Sequence, residues 1–275
     1  MKKINFFSII LLLLTWSCET DVDTDEVFKN DTKIAIQSYI SPFNETVKVR
    51  VARVVSSFGI PPEPEELIIK NAAVTMANND GVKVNLTYNQ ERFNYEIPAT
   101  EFGILPGGSY FLKVVVAGEI YTANCTVPTE AAPLPKNLAT NTANFVVRTS
   151  FDDPQGVPNY YFAELETLQD PQQRRVFEEG AFFTDQGRDG QQISLEIPND
   201  PFTSGFLIIP DGEPLKIRIY SLDERIYLWR SAQDLLDINL GSFSEAPTLP
   251  SNIIGADVIG VFSGYRVTEQ ILMPE

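Results

Sequence analysis

The chain of 275 residues contains no histidine. That absence removes histidine-dependent catalytic triads, haem ligation by histidine and the usual catalytic zinc ligand sets. Cysteine is almost as scarce, with only Cys18 and Cys125. If Cys18 is modified, Cys125 has no partner in the chain and no disulfide staples the fold. Basic residues are few, 21 against 37 acidic ones, for a formal charge of −16. Nucleic acids and anionic bilayer surfaces both demand a basic face, so neither is an expected partner. Phosphate-binding loops are missing too. Gly255, Gly260 and Gly264 precede no lysine-serine pair and open no helix; they mark bends or close backbone approach in the last strands. No cofactor and no metal is expected.

What is present begins with an address. Lys2 and Lys3 precede an apolar run centred on Ile9–Leu14, which stops at Ser17 and Cys18 before the charge of Glu19. A basic start, a short apolar stretch and a small residue before the cut define a secretory signal, so residues 1–17 read as a signal peptide. The run is short for a membrane span, which needs about 20 apolar residues. The end of the run resembles the lipobox of bacterial lipoproteins, although Leu14 stands four places before Cys18 instead of three. That resemblance implies lipid on Cys18 and a membrane partner held through it. Each buried methylene contributes about 0.8 kcal/mol, and two or more acyl chains give lasting anchorage. Residues 18–32, with Glu19, Asp21, Asp23, Asp25 and Glu26, cannot bury apolar area and read as an acidic, solvated tether. Acidic residues after such a cysteine resemble the export signal of Bacteroidetes surface lipoproteins. Loss of Lys2 and Lys3 leaves 19 basic against 37 acidic residues, a formal charge of −18.

The body alternates with period two, the signature of half-buried strands. Val47, Val49 and Val51 alternate with Lys48 and Arg50, and Phe93, Tyr95 and Ile97 follow the same rule. Turn signals at Asn79-Asp80-Gly81, Pro106-Gly107-Gly108 and Ala117-Gly118 separate such runs. Residues 33–128 are therefore predicted to form an immunoglobulin-like β-sandwich. Residues 129–142 read as a linker, and 143–275 as a second β-rich, sandwich-like domain, making the chain all-β. The second domain holds one predicted amphipathic helix over 222–240. Ser221 is its expected cap, Leu228, Ala232, Leu235 and Leu236 its apolar stripe, and Gly241 its stop. Asp189-Gly190 reads as a hairpin turn, and residues 257–267 as a last strand pair. Pro61, Pro62, Glu63 and Pro64 break the pattern in the first domain and read as a stiff connection or an exposed contact loop.

Chemistry-bearing residues are few. Cys125 lies in a strand-like stretch and reads as a small core residue. Asp152, Asp153, Asp185, Asp189, Asp200 and Asp211 sit near Gly or Pro turns; they read as solvated turns, with calcium as the functional alternative. Paired carboxylates of this kind also admit glycoside hydrolysis. Tyr160, Tyr161, Phe162, Phe182, Phe183, Tyr227 and Trp229 read as core or sheet cover, or as rings that stack on a ligand.

Further segments carry a family resemblance. They are Lys33–Ile40, Lys70–Met76 after the proline run, Gly107–Val114, Ile120–Ala123, Phe182–Asp185 and Gly260–Tyr265. In these the chain resembles the Bacteroidetes lipoproteins grouped as domain of unknown function 4249. The resemblance spans nearly all of the mature chain and rests on structural motifs. It implies a non-enzymatic outer-membrane lipoprotein, facing the exterior, that assists a TonB-dependent transporter in nutrient binding or uptake. A structural or adhesive surface module and a carboxylate-dependent glycosidase are the alternatives.

Overall fold

The computed structural model describes residues 33–54, 62–141, 146–168, 174–176, 182–198, 212–239 and 249–273. The protein is all-β, and alternation builds its first strands: β1 (Ile34–Ile40), β2 (Thr46–Arg53), β3 (Ala73–Asn78), β4 (Lys83–Asn89), β5 (Asn94–Pro98), β6 (Ser109–Val116) and β7 (Glu119–Thr126). In β2 the three valines are buried while Lys48 and Arg50 face solvent. Strand order is β1-β2-β5-β4-β3-β6-β7. Apolar side chains from all seven strands form one buried cluster, so the path folds over at the short β4–β5 ladder, giving a two-layered, immunoglobulin-like sandwich. Ala117 and Gly118 turn β6 into β7 with φ of 50° and 95°, the left-handed pair that matches the twist of a two-residue hairpin. Cys125 is buried in this core, and burial pushes its thiol up from its usual range.

The proline segment is not loop throughout. Pro64–Leu67 forms a one-turn helix, α1, after which Ile68 bridges to Ala52 and the Ile69 amide donates to the Val51 carbonyl. Pro at the first helical turn loses no hydrogen bond, so proline starts the turn instead of breaking it. Pro62 is half-buried and Glu63 exposed, whereas Pro61 lies outside the described residues.

The second sandwich pairs a sheet of β8 (Lys136–Asn141), β9 (Val146–Asp152) and β13 (Gln192–Pro198) with strands β10 (Tyr160–Thr167), β11 (Arg174–Val176), β12 (Phe182–Thr184), β14 (Leu215–Leu222) and β15 (Val258–Leu272). Leu138, Phe151, Ile193 and Leu195 from one layer meet Tyr161, Leu165, Phe183 and Ile217 from the other in a second core.

Several expectations shift here. The expected linker contains β8, because Leu138 reaches the second core and its strand pairs with β9. Asp189-Gly190 is no tight hairpin; it carries the chain from β12, which pairs with β10, across to β13, which pairs with β9. Ser221 is not the helix cap, because it pairs with Arg266 in the β14–β15 ladder. Asp223 caps instead: its Oδ1 accepts the Arg225 amide at 2.9 Å and its carbonyl the Ile226 amide at 3.0 Å, opening helix α2 (Glu224–Asn239). Its buried face is Ile226 and Trp229, while Leu228 is exposed. The side chains of Leu235 and Leu236, and Gly241, lie outside the described residues.

The closing strand pair is one long strand serving both cores. The first half of β15 runs parallel to β1, Ile34↔Val258 through Ile40↔Gly264, and its second half runs antiparallel to β14, Leu222↔Tyr265 through Leu215↔Leu272. Ile253 and Phe262 accordingly pack in the first core, not the second. The closing glycines do allow close backbone approach: a Cβ at Gly264 would lie 2.7 Å from the Val127 Cα, and one at Gly255 2.4 Å from the Tyr121 ring.

Buried phenols set an alkaline limit. Burial pushes the Tyr95, Tyr110, Tyr121 and Tyr161 hydroxyls above the ordinary value of 10.0, and Tyr39 up to about 12. The unfolded chain loses these protons near pH 10 while the native one keeps them. The stabilisation is therefore complete below that pH and is lost as pH rises. Each such group removes up to about 1.4 kcal/mol per pH unit. Urea midpoints are expected to hold flat to about pH 9 and fall steeply above 10 at constant slope.

Candidate functional site

A cleft of about 490 Å³ opens at one end of the second sandwich. Three pieces of chain build it: the Gly156–Pro158 turn leading into Tyr160 of β10, the Thr184–Gly187 turn after β12, and Glu224, Tyr227 and Leu228 from the first turns of the helix. The Asp223 cap fixes where that helix begins, and so places Glu224 and Tyr227 over β10. The rings of Tyr160 and Tyr227 lie 5.2 Å apart at 40°. Tyr160 donates its hydroxyl to Glu224 Oε1 at 2.9 Å. Burial, then the bond and charge of Glu224, push that phenol up to about 12, so it stays a neutral donor at ordinary pH.

Behind this wall the carboxylate oxygens of Asp153, Asp185 and Asp189 lie within 4.8 Å of one another. Asp153 and Asp185 are buried. Asp153 accepts the Tyr161 hydroxyl at 2.6 Å and the Gly190 amide at 2.9 Å. Asp189 accepts the Gly156 amide at 2.8 Å, and Asp185 the Asn159 side-chain amide at 3.4 Å. These bonds pin two turns to the end of β9, which is what carries the chain from one layer to the other. Arg188, the nearest cation in sequence, donates instead to the Thr184 carbonyl at 3.3 Å. Among the described residues none of the three carboxylates is ion-paired. An oxygen-only set of this kind suits a hard cation.

The cleft lining includes Asp185, Asp189 and Glu224 and no basic side chain. Two aromatic faces beside carboxylates favour a cationic or hydroxyl-rich ligand and oppose an anion. Asp153, Asp185 and Asp189 thus form one unit that sequence spacing left as separate turns. Asp152 stands apart, ion-paired with Lys136 at the surface. Asp200, Asp211 and Cys18 lie outside the described residues. Pro62, Glu63 and Pro64 precede the Ile68–Ala52 bridge of the first sandwich and are not among the residues that line the cleft. Trp229, a candidate ring, is buried under the helix, whereas Tyr227 lines the cleft.

Two β-sandwiches, the second carrying an acidic aromatic cleft, define the class. The chain belongs to the family described as Domain of unknown function (DUF4249), whose model matches residues 18–271. Among solved structures it is similar to a segment of two fibronectin type-III domains from chicken tenascin. That match has 12% identity and a TM-score of 0.25, and covers 88% of this chain and 98% of that one. Among curated proteins none matches the chain.

Proposed function

We propose that the protein is a Bacteroidetes outer-membrane lipoprotein, anchored through Cys18 and facing the exterior. It is a non-enzymatic binding module that works beside a TonB-dependent transporter in nutrient uptake. The observation that carries the binding role is the Tyr160–Tyr227 cleft with its three carboxylates. The anchor is supported by the coincidence of two boundaries: the family match begins at residue 18, where the apolar leader ends. A leash at the amino end leaves the cleft free to meet ligand while diffusion is confined to the membrane plane.

Purification of the tagged protein from detergent-solubilised outer membranes tests this role. A β-barrel transporter is expected to follow it in stoichiometric amount. Recovery of the protein alone, with binding to surfaces or polymers, would favour an adhesive or structural module. Replacing Cys18 by Ala is expected to move most of the protein from the membrane to the soluble fraction, read by fractionation and immunoblot; two lost acyl chains account for that shift.

A glycosidase is the second reading, because Asp185, Asp189 and Glu224 share the cleft. Against it, each of these carboxylates already accepts a hydrogen bond that holds the cleft wall. Turnover of aryl glycosides that disappears in Asp185→Asn, Asp189→Asn or Glu224→Gln would establish it.

A further inference from the structure

A second concavity, of about 670 Å³, crosses the outer face of the first sandwich and is walled by residues 251–254. Its charged side chains are Lys83, Lys113 and Arg225, and no carboxylate lines it. This is unexpected in a chain whose acidic residues outnumber basic ones 37 to 21. Among the described residues none of the three cations is paired with a carboxylate; Arg225 donates to the Asn124 carbonyl at 2.7 Å. Two large apolar side chains lie open there, Phe111 at 47% and Ile254 at 71% exposure. Cross-strand register sets Lys113 between Thr122 and Thr75 in one row, and Phe111 between Asn124 and Ala77, next to Lys83, in the following row.

We propose that this groove receives the chain's own acidic tether, residues 19–28. Three observations choose that occupant. The first is charge complementarity. Glu19, Asp21, Asp23 and Asp25 recur every second residue, so an extended tether presents them on one side, with Thr20, Val22 and Thr24 on the other. The second is spacing. Lys113 and Lys83 stand two strands and one row apart, about 12 Å, and carboxylates four residues apart on an extended segment are separated by about 13 Å. The third is where the tether joins the body. The Ile34 amide donates to the Asp257 carbonyl at 2.8 Å, and Ile254, three residues earlier, bridges to Thr122 on the groove wall. The chain therefore leaves the body beside the groove, and residues 18–32 extended at ~3.3 Å each reach about 50 Å. Val27 and Phe28, nearest the exit, meet Ile254 and Phe111, and the acids beyond them meet the cations. Covalent linkage gives the segment a local concentration of order millimolar, so weak contacts suffice. Docked this way, the tether brings Cys18 to the groove end and holds the body close to the bilayer. The contact requires neither the transporter nor a ligand in the cleft.

Zero-length carbodiimide coupling on the full mature chain carrying Cys18→Ser tests the contact. Lys113 or Lys83 is expected to couple to Asp21, Asp23 or Asp25 as readily as Lys136 couples to Asp152, a pair in direct contact on the surface. The tether products are expected to vanish in Lys83→Glu/Lys113→Glu, which leaves the control pair intact. In a mixture of isotopically light and heavy chains the products should be light–light or heavy–heavy. Mixed-mass products would assign the groove to a second copy's tether and overturn the proposal. Coupling of Lys136 to Asp152 without any tether product would also overturn it. Amide exchange over residues 19–28 gives the parallel reading: about tenfold slowing in the parent chain, lost in the charge-reversed variant.

Discussion

Replacing Gly260 by Ala is expected to destabilise the protein by more than about 4 kcal/mol, a large share of a typical domain's stability. A Cβ at this position would lie 1.9 Å from the Ile36 carbonyl oxygen and 2.8 Å from its carbon. Both are backbone atoms of the paired strand, so no side chain can swing aside. The residue also has φ of 150°, a region that L side chains rarely adopt. Relief requires β1 and β15 to separate, and β15 is shared by both cores, so damage in one is transmitted to the other. Gly118→Ala supplies the contrast. It has φ of 95° but nothing within 4 Å of an added Cβ, so only backbone strain of about 1 kcal/mol applies. Urea unfolding of the two variants decides the matter. A Gly260→Ala protein within about 1 kcal/mol of the parent would mean that the parallel pairing is wrong.

The next largest effect belongs to Arg218. Its Nη1 lies 3.0 Å from Glu164 Oε1 and 2.6 Å from Glu166 Oε2, and its Nε 2.7 Å from Glu269 Oε2. Tyr220 adds its hydroxyl to Glu164 at 2.6 Å. Burial disfavours the guanidinium charge, yet the three carboxylate bonds outweigh it and hold Arg218 above the ordinary arginine range. Glu164, Glu166 and Arg218 are all buried, so none of their charges is well hydrated. Removing Arg218 takes the guanidinium from Glu164 and leaves Glu166 and Glu269 with the more distant Lys216 ammonium, 3.7 Å from each. Arg218→Met is expected to cost about 3–5 kcal/mol. The triple variant Arg218→Met/Glu164→Gln/Glu166→Gln should recover much of that loss, because it removes the stranded charges together. Chemical denaturation of the single and triple variants measures the difference. Equal stability of the two would show that the carboxylates do not depend on Arg218.

The strands were legible because period two is a local signal. Val47, Val49 and Val51 announce their face without knowing what they meet. Turn chemistry was equally local: Ala117-Gly118 turns where its residues demand it. Cys125 was readable for the same reason, as a small residue on the inward face of an alternating strand. Pairing between distant segments was not legible. Nothing near Ile34 indicates that its neighbour is Val258, since that choice is made by the shape of two cores and by the glycines that let backbones approach. Ser221 and Asp223 both satisfy capping chemistry, and the β14–β15 ladder decided between them by claiming Ser221. Leu228 fitted a helical stripe, but the sheet beneath selected Ile226 and Trp229. The cleft was hidden in the same manner. Tyr160, Asp185 and Glu224 come from three elements, and only the crossing between layers gathers them.

Lipid on Cys18 is the claim on which the proposed membrane role rests. Intact mass and amino-terminal peptide spectrometry of the protein taken from the outer-membrane fraction tests it most directly. The expected result is a chain that begins at Cys18 and carries a diacylglyceryl group with its fatty acids. A chain that begins elsewhere, or one that begins at Cys18 with an unmodified thiol, would contradict it.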